Sequence, residues 1–428
     1  MRVAKFRTPA EDRKKPPCRV ARTRAVAEGR SVSTSSVPRP GSTAQTGPAH
    51  PAPGRRVPSG LVPALVLFAA VRLAGVAAVA LANHAVGRPL VANLAHSWDA
   101  RWYLHIATHG YGDLILITRK GAVQTDWAFF PLYPGLVRAV TTVLPLTPGK
   151  AALAVSWNAA VVAAWGIHRI GDHLYGRAVA AALVVLWAVL PQSVELTIAY
   201  TESLFSALAA WSLYCVLTRR WLWAGCLAAL AGLSRPTGFA VAAAVLAAGA
   251  HEAVRRRGRV PLALWAGCLL APLGWLGYVL WVGRRTGSLL HGYFQVQDAW
   301  SSRFDFGAGS LRFVKDLLLH GGGFVYAADL VIVAAGLLLF GLLCLDRAPL
   351  VLVVFAGVLV LVVAAGSGSF SSKPRFLLPA FPLLIPLARA LADSRRVRPA
   401  QTVLVVGALA VVSWLFGAYV MAVARAPL

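Results

Sequence analysis

Trp127-Ala128-Phe129-Phe130-Pro131-Leu132-Tyr133-Pro134-Gly135-Leu136-Val137-Arg138-Ala139-Val140-Thr141-Thr142-Val143-Leu144-Pro145-Leu146 is the stretch on which the topology of this chain turns. It is apolar enough to cross a bilayer, yet it carries three prolines, a glycine and an arginine. Proline removes a backbone donor and clashes with the preceding turn, so an unbroken helix is disfavoured. The stretch is either a full span or a broken, interfacial helix, and the loops after it decide. If it stays at the interface and the N-terminus is cytoplasmic, the basic turns fall on the cytoplasmic side. These are Arg169 to Arg177, Arg219-Arg220, Arg255-Arg256-Arg257-Gly258-Arg259, Asp346-Arg347 and Arg395-Arg396-Val397-Arg398. That is the positive-inside distribution. If the stretch spans, every later loop flips and these turns face out. The interfacial reading is therefore adopted.

Working outward, the apolar runs predict eleven spans, near 60–83, 151–170, 178–198, 202–218, 221–234, 237–253, 260–282, 326–345, 349–366, 375–391 and 401–424. A polar and aromatic segment over 84–126 follows the first span on the outer side. A second outer loop, about 284–325, mixes Asp298, Arg303, Asp305, Arg312, Lys315 and Asp316.

Composition agrees. Of 428 residues 58% are apolar and only 14% charged, against about a quarter charged in soluble domains. The net charge of +26 does not indicate nucleic acid. The basic residues sit in the N-terminal arm and in short loops, where they set topology and meet anionic lipid. Residues 1–57 are poor in large apolar side chains and are expected to be a disordered, basic cytoplasmic arm, with a downstream start codon as the alternative. The membrane domain is 58–428. Cys215, Cys226, Cys268 and Cys344 lie in apolar runs and Cys18 in the arm, with no metal-ligand spacing or disulfide framework.

Acids are scarce, so those at helix boundaries stand out. Ser97-Trp98-Asp99-Ala100-Arg101-Trp102-Tyr103 sets one carboxylate among aromatics. Asp99 is either a general base in a partly desolvated site or a helix cap within an interfacial aromatic belt. Phe129 to Pro134 reads as a rigid wall beside it or as a helix breaker in the headgroup layer. His105 and His109 share a helix face and read as exposed interfacial histidines, with a metal pair the alternative. Glu195 lies inside an apolar run, where an ionisable group is a functional hypothesis by default. In Tyr200-Thr201-Glu202-Ser203, Glu202 is either a first-turn acid after a Thr201 cap or a substrate contact. Arg235 and Arg375 each adjoin a proline on the outer side, where guanidinium suits a phosphate; snorkelling to headgroups is the alternative. Lys373 is a weaker candidate for the same role. There is no phosphate-cradling glycine loop, Gly321-Gly322-Gly323 being a flexible loop, and no Asp-x-Asp pair for a metal-bound nucleoside diphosphate. A transferase built this way would use a lipid monophosphate donor.

These motifs, in order, are Trp98-Asp99-Ala100 with Tyr103, Ala128 to Pro134, Pro191, Tyr200 to Phe205, and Ser234-Arg235-Pro236-Thr237-Gly238. The pattern resembles the PIG-V type mannosyltransferases, in particular their actinobacterial membrane relatives, over about residues 60 to 390. Animal members carry an Arg-Ser-Asn-Gly type tetrad where this chain has Arg235-Pro236-Thr237-Gly238, whereas Pro374-Arg375-Phe376 looks like the bacterial members. The resemblance implies an all-α polytopic membrane protein, a GT-C type bundle of about eleven transmembrane helices whose first outer loop carries interfacial helices. It implies transfer of a mannosyl residue from a polyprenyl-phosphate donor to a glycolipid or glycan hydroxyl at the outer face of the plasma membrane. Transfer would invert the anomeric carbon, with Asp99 as base by position and motif. Trp98, Arg101, Tyr103, Phe130, Tyr133, Tyr200, Glu202, Arg235, Lys373 and Arg375 are the expected substrate-binding residues, with no metal and no cofactor. Three alternatives stay open: a GT-C transferase for another lipid-linked sugar; a lipid or sugar transporter, which would favour paired broken helices in two related halves; and a non-catalytic membrane scaffold, which would not need an outward Asp99 opposite outward arginines.

Topology is directly testable. A single cysteine at position 99, in a chain freed of its own cysteines, is expected to react with an impermeant maleimide from outside the cell. Labelling only from the cytoplasmic side would overturn the scheme.

Overall fold

The computed structural model of the protein describes residues 60–117 and 121–424. The expected arm at 1–57 lies outside them. The chain begins with α1 (Leu61–Ala85) and continues through two short helices, α2 (Leu90–His96) and α3 (Ala100–His109). A hairpin follows, β1 (Ile115–Ile117) against β2 (Val123–Thr125), in register Ile115 with Thr125. Each strand has only three residues, too few to signal helix or strand by period, and the rest of the fold is helical as expected.

Then come α4 (Leu132–Val143), α5 (Pro148–Tyr175), α6 (Arg177–Ala188), α7 (Glu202–Leu217), α8 (Trp221–Gly232) and α9 (Phe239–Arg255). Beyond these lie α10 (Leu262–Leu270), α11 (Leu273–Arg285), α12 (Gly292–Ala299), α13 (Ala308–His320), α14 (Phe324–Leu345) and α15 (Leu350–Ala365). The chain closes with α16 (Lys373–Leu377), α17 (Ile385–Val397) and α18 (Pro399–Tyr419), the last running into a π-helical turn at Val420–Ala424.

The stretch at 127–146 is not a span. α4 has 12 residues, about 18 Å at 1.5 Å per residue, against a hydrocarbon core of ~30 Å. The apolar runs expected to cross are helical, but they are not eleven full-length helices. Among the described residues six helices are long and apolar enough to cross, with one further broken span over Phe370–Leu377 and Phe381–Val397, bent by 74°. α6, α7, α8 and α15 are shorter apolar helices. Prolines account for the breaks. Pro191 ends the run after α6, giving a 3-10 stretch over Pro191–Leu196, and Pro379 lies in the bend of the broken span.

α5 is the inner helix, with 61% of its apolar window buried, while α1 and α14 bury only 28% and 22%. Exposed Leu67, Leu73, Val331, Leu338, Leu404 and Leu415 give the bundle the apolar outer surface that a bilayer requires.

Loop contacts divide into two ends. Arg219 and Arg256 share Glu252 (3.5 and 2.6 Å), and Arg389 holds Asp346 (2.9 Å). At the other end α12 lies on the first loop, where Trp300 meets Trp102 and Phe129, and Gln297 donates to Ala128 O at 3.1 Å. The 301–310 segment is stitched to the 363–373 segment: Ser367 N–H donates to Arg303 O (2.7 Å), and Asp305 caps the start of α13 through Gly307 and Gly309 N–H.

Helix contact without a water-driven force relies on close packing of small residues. A Cβ added at Gly225 of α8 would fall on the backbone of Gly267 in α10. A Cβ at Gly277 meets open space. Gly225→Val is therefore expected to cost about 1–3 kcal/mol or more, the scale of overpacking, and Gly277→Ala nothing. Thermal unfolding of the purified proteins in lipid nanodiscs checks this; equal midpoints for the two variants would exclude backbone-to-backbone packing here.

Candidate active site

The site forms where four helix ends meet, and local sequence explains each end. α3 starts at Ala100, with Asp99 in the N-cap position, but the Asp99 side chain makes no capping hydrogen bond. Its carboxylate is turned away to Arg375, whose Nη1 donates to Oδ2 at 2.7 Å. Trp98 just before it has φ +47°, a conformation that costs a bulky residue of order 1–3 kcal/mol and occurs mostly at functional sites. The Asp99 N–H donates to the Tyr200 hydroxyl at 3.0 Å, and Ala199 N–H to Leu94 O at 3.1 Å. These two bonds dock the first loop onto the Pro191–Tyr200 segment.

An aromatic pedestal supports α3. Trp102 stacks on Phe129 with centroids 5.4 Å apart, and Tyr103 meets Phe129 and Tyr133 edge-on. Tyr133, fully buried, donates to Ala152 O at 2.9 Å and lies 2.8 Å from Ser156 Oγ, which donates to Tyr200 O at 3.0 Å. Gly110 closes α3 with φ +94°, where its N–H donates to Ile106 O.

A second pair lies beside the first. Thr201 takes the N-cap position of α7 without a side-chain cap, and Glu202 faces Arg235, with Oε1 2.9 Å from Nη1. Nη1 and Nε of Arg235 and Oε2 of Glu202 have no hydrogen-bond partner, although both side chains are at most 4% exposed. The Phe376 ring lies 5.3 Å from each of the Arg235 and Arg375 guanidinium carbons. Phe205 and Tyr200 take the other faces of Arg235 and Arg375, at 5.6 and 5.7 Å. Such stacking over aromatic faces is favourable when desolvated. Glu195 is fully buried, within electrostatic reach of Glu202, Arg375, Arg235 and Asp329, and its Oε2 has no partner. Burial first, then the Asp99 carboxylate, pushes the Tyr200 phenol above its ordinary range, so it stays protonated.

Six of the expected residues thus come together: Asp99, Tyr103, Tyr200, Glu202, Arg235 and Arg375. The capping alternatives for Asp99 and Glu202 are replaced by ion pairs. Trp98 is half-buried and faces an adjoining cavity. Four expected contacts are displaced. Lys373 is not a phosphate clamp, since its ammonium is spent on Ser310 Oγ, Val363 O and Gly366 O at 2.6–2.7 Å. Phe130 is fully buried against Tyr278 and Tyr293, part of the scaffold under α11 and α12. Tyr133, equally buried, is a pillar rather than a contact surface. Arg101 is exposed over a different groove, with His96, His105 and Pro148. His105 and His109 stack at 4.5 Å, and the described residues hold no group of three or more metal-ligating side chains.

Three further groups were not singled out from sequence. Asp329 sits in α14 at 1% exposure; an acid inside an apolar run is the signal that marks it. Arg72, inside α1, donates to Ala188 O at 3.1 Å and to Ser193 Oγ at 2.5 Å, so it satisfies the carbonyl end of α6. Asp126, fully buried in the first loop, accepts from Gly112 N–H at 2.8 Å.

No protein-family profile and no curated protein sequence matches the chain. Among solved structures it is similar to ArnT from Cupriavidus metallidurans in the apo state, with TM-score 0.50 and 13% identity over 84% of this chain and 76% of that one. It is also similar to the apo oligosaccharyltransferase of Archaeoglobus fulgidus, with TM-score 0.46 and 13% identity over 86% of this chain and 56% of that one. The fold is accordingly a polytopic helical membrane bundle similar to that of ArnT.

The buried pair gives a stability test. Removing one partner leaves an uncompensated charge, which costs about 3–5 kcal/mol, whereas replacing both with apolar residues is often neutral. Arg235→Met is therefore expected to lower the unfolding midpoint strongly, and Arg235→Met with Glu202→Leu to recover most of it. Additive losses in the double variant would show that the two side chains do not act as a pair.

Proposed function

We propose that the chain is a membrane glycosyltransferase that moves a sugar from a polyprenyl-phosphate donor to an acceptor hydroxyl. Asp99 is the base, and Arg235 and Arg375 hold the donor phosphate. The observation that carries this reading is a carboxylate hydrogen-bonded to one of two stacked, largely buried arginines that keep unpartnered nitrogens. Arg375 Nε and Arg235 Nε and Nη1 have no hydrogen-bond partner, although a buried donor ordinarily has one. A phosphate oxygen is the kind of acceptor these nitrogens lack. The sequence resemblance to GT-C type transferases supports the same class of reaction.

In the step proposed, the acceptor oxygen attacks the anomeric carbon while its proton passes to the Asp99 carboxylate. The bond from that carbon to the phosphate oxygen breaks, and its electron pair stays on the phosphate. Charge therefore grows on the leaving group, where the arginines stabilise it more than they stabilise the bound donor. Arg375 bridges the two events. Its Nη1 holds Asp99 while Nε faces the donor side, so it fixes base and phosphate relative to each other. Tyr200, through the Asp99 N–H, and the Glu202–Arg235 pair position these groups. Attack opposite the leaving phosphate inverts the anomeric carbon, and a β-linked donor gives an α-product. Mannose as the sugar, and the outer membrane face as the location, rest on the sequence resemblance and the loop-charge argument.

The test is transfer from a panel of polyprenyl-phosphate sugars by the protein in nanodiscs. The mannosyl donor is expected to be used best. Asp99→Asn is expected to lower kcat by about 10²–10⁴, the usual worth of a general base, and Arg375→Ala to lower kcat and raise the KM for donor. Full activity of Asp99→Asn would overturn the base assignment, and preference for another sugar would overturn mannose.

A further inference from the structure

Next to Asp99 along the chain lies an open cavity of about 400 Å³ lined by Arg88, Asn93, Ser97, Trp98 and Met421. Its size falls within the ~300–1,000 Å³ of small-ligand sites. Its lining is unusual for a protein whose surface is largely apolar. A guanidinium, a carboxamide and a hydroxyl surround one indole.

These groups are oriented by one another. Asn93 Nδ2 donates to Asn83 Oδ1 at 2.7 Å and to Met421 O at 3.1 Å. Arg88 Nη1 donates to the same Met421 O at 3.3 Å. The Ser97 hydroxyl is shared between Asn93 O and Asn93 Oδ1, at 2.5 and 2.9 Å. Met421 can serve both donors because it lies in the π-helical turn Val420–Ala424 that ends α18. A π-turn leaves a carbonyl outside the regular helical ladder, and such turns are frequent at functional sites.

Trp98 is the other built element. Its left-handed backbone, φ +47°, is held from below by the Ser97–Asn93 contacts and from above by the Asp99 N–H bond to Tyr200. A half-buried indole face flanked by donors and acceptors is what a pyranose ring needs. Its C–H face lies on the ring and its hydroxyls reach the polar groups. Arg88 adds a planar fork that suits two adjacent hydroxyls.

We infer that this cavity is the acceptor subsite and takes the terminal sugar ring of a glycan or glycolipid acceptor, stacked on Trp98 and read by Arg88, whose place Asn93 and Met421 O help to fix. The role as acceptor subsite rests on the transferase reading; the binding of a sugar ring does not. Trp98 and Asp99 are consecutive, which sets this cavity next to the candidate base along the chain.

Saturation-transfer NMR with methyl α-D-mannopyranoside, and with the corresponding glucoside and galactoside, tests the binding. The full chain is held in phosphatidylcholine nanodiscs, free of sugar-headed detergent. Saturable binding of at least one glycoside is expected. Trp98→Leu and Arg88→Ala should each weaken it tenfold or more, and Trp98→Phe, which keeps an aromatic face, should retain it. Where a donor supports transfer, Trp98→Leu and Arg88→Ala should raise the KM for acceptor at least tenfold and leave the KM for donor unchanged. Glycoside binding without transfer from any donor would overturn the transferase reading and leave the sugar site standing. Absence of saturable binding, or binding indifferent to both variants, would overturn the subsite. So would a signal displaced by inorganic phosphate and not by glycoside, which would mark an anion or headgroup site.

Discussion

Two guanidiniums held inside a membrane bundle set the terms for the rest of this structure. A cation taken out of water needs a counter-charge or it destabilises the fold by several kcal/mol. Arg375 finds Asp99 and Arg235 finds Glu202. The Phe376 ring stacks with both arginines. The carboxylates balance the charge of the two arginines, yet several guanidinium nitrogens keep no hydrogen-bond partner. An arrangement that is stable yet incompletely satisfied is suited to receive an anion, and that property connects the stability of the bundle to its proposed chemistry.

The architecture around these groups follows from where backbone can be irregular in a membrane. Non-helical segments are tolerated at depth only when buried in protein or lining a cavity. Here they are concentrated at the site. The Pro191–Leu196 stretch, the Arg235-Pro236 break and the Phe370–Ser372 turn are all largely buried. Each break ends a helix and turns a polar side chain inward, which an unbroken span could not do without burying backbone donors. The long helices α1, α14 and α18 face the bilayer, and the inner α5 carries Ser156, which ties Tyr133 to Tyr200. The second loop is part of the same construction, since α12 covers the Trp102–Phe129 stack and α13 is pinned by Lys373.

Lys373 and Arg375 show how far local sequence reaches. Both are basic, both adjoin Pro374, and both lie in the same short turn. One holds Asp99, while the other spends its donors on Ser310 and the carbonyl end of α15. Nothing in the turn separates them; the position of α13 does. Phe130 and Tyr133 belong to one motif of aromatics and prolines, yet they are fully buried in different clusters. Asp329 was legible in principle as an acid inside an apolar run. Asp126 was not, because an acid in a polar loop carries no sign of burial.

What the sequence by itself determined is the membrane class, the helical runs, the broken nature of 127–146 and the residue types that can do phosphate and proton chemistry. Hydropathy, proline and charge act locally, so they can be read from neighbours along the chain. The tertiary structure alone decided which of those residues meet. Asp99 and Arg375 are 276 positions apart, and their contact depends on how short, broken helices pack against α5 and α7. Burial and ion pairing are properties of that packing, and no local pattern encodes them.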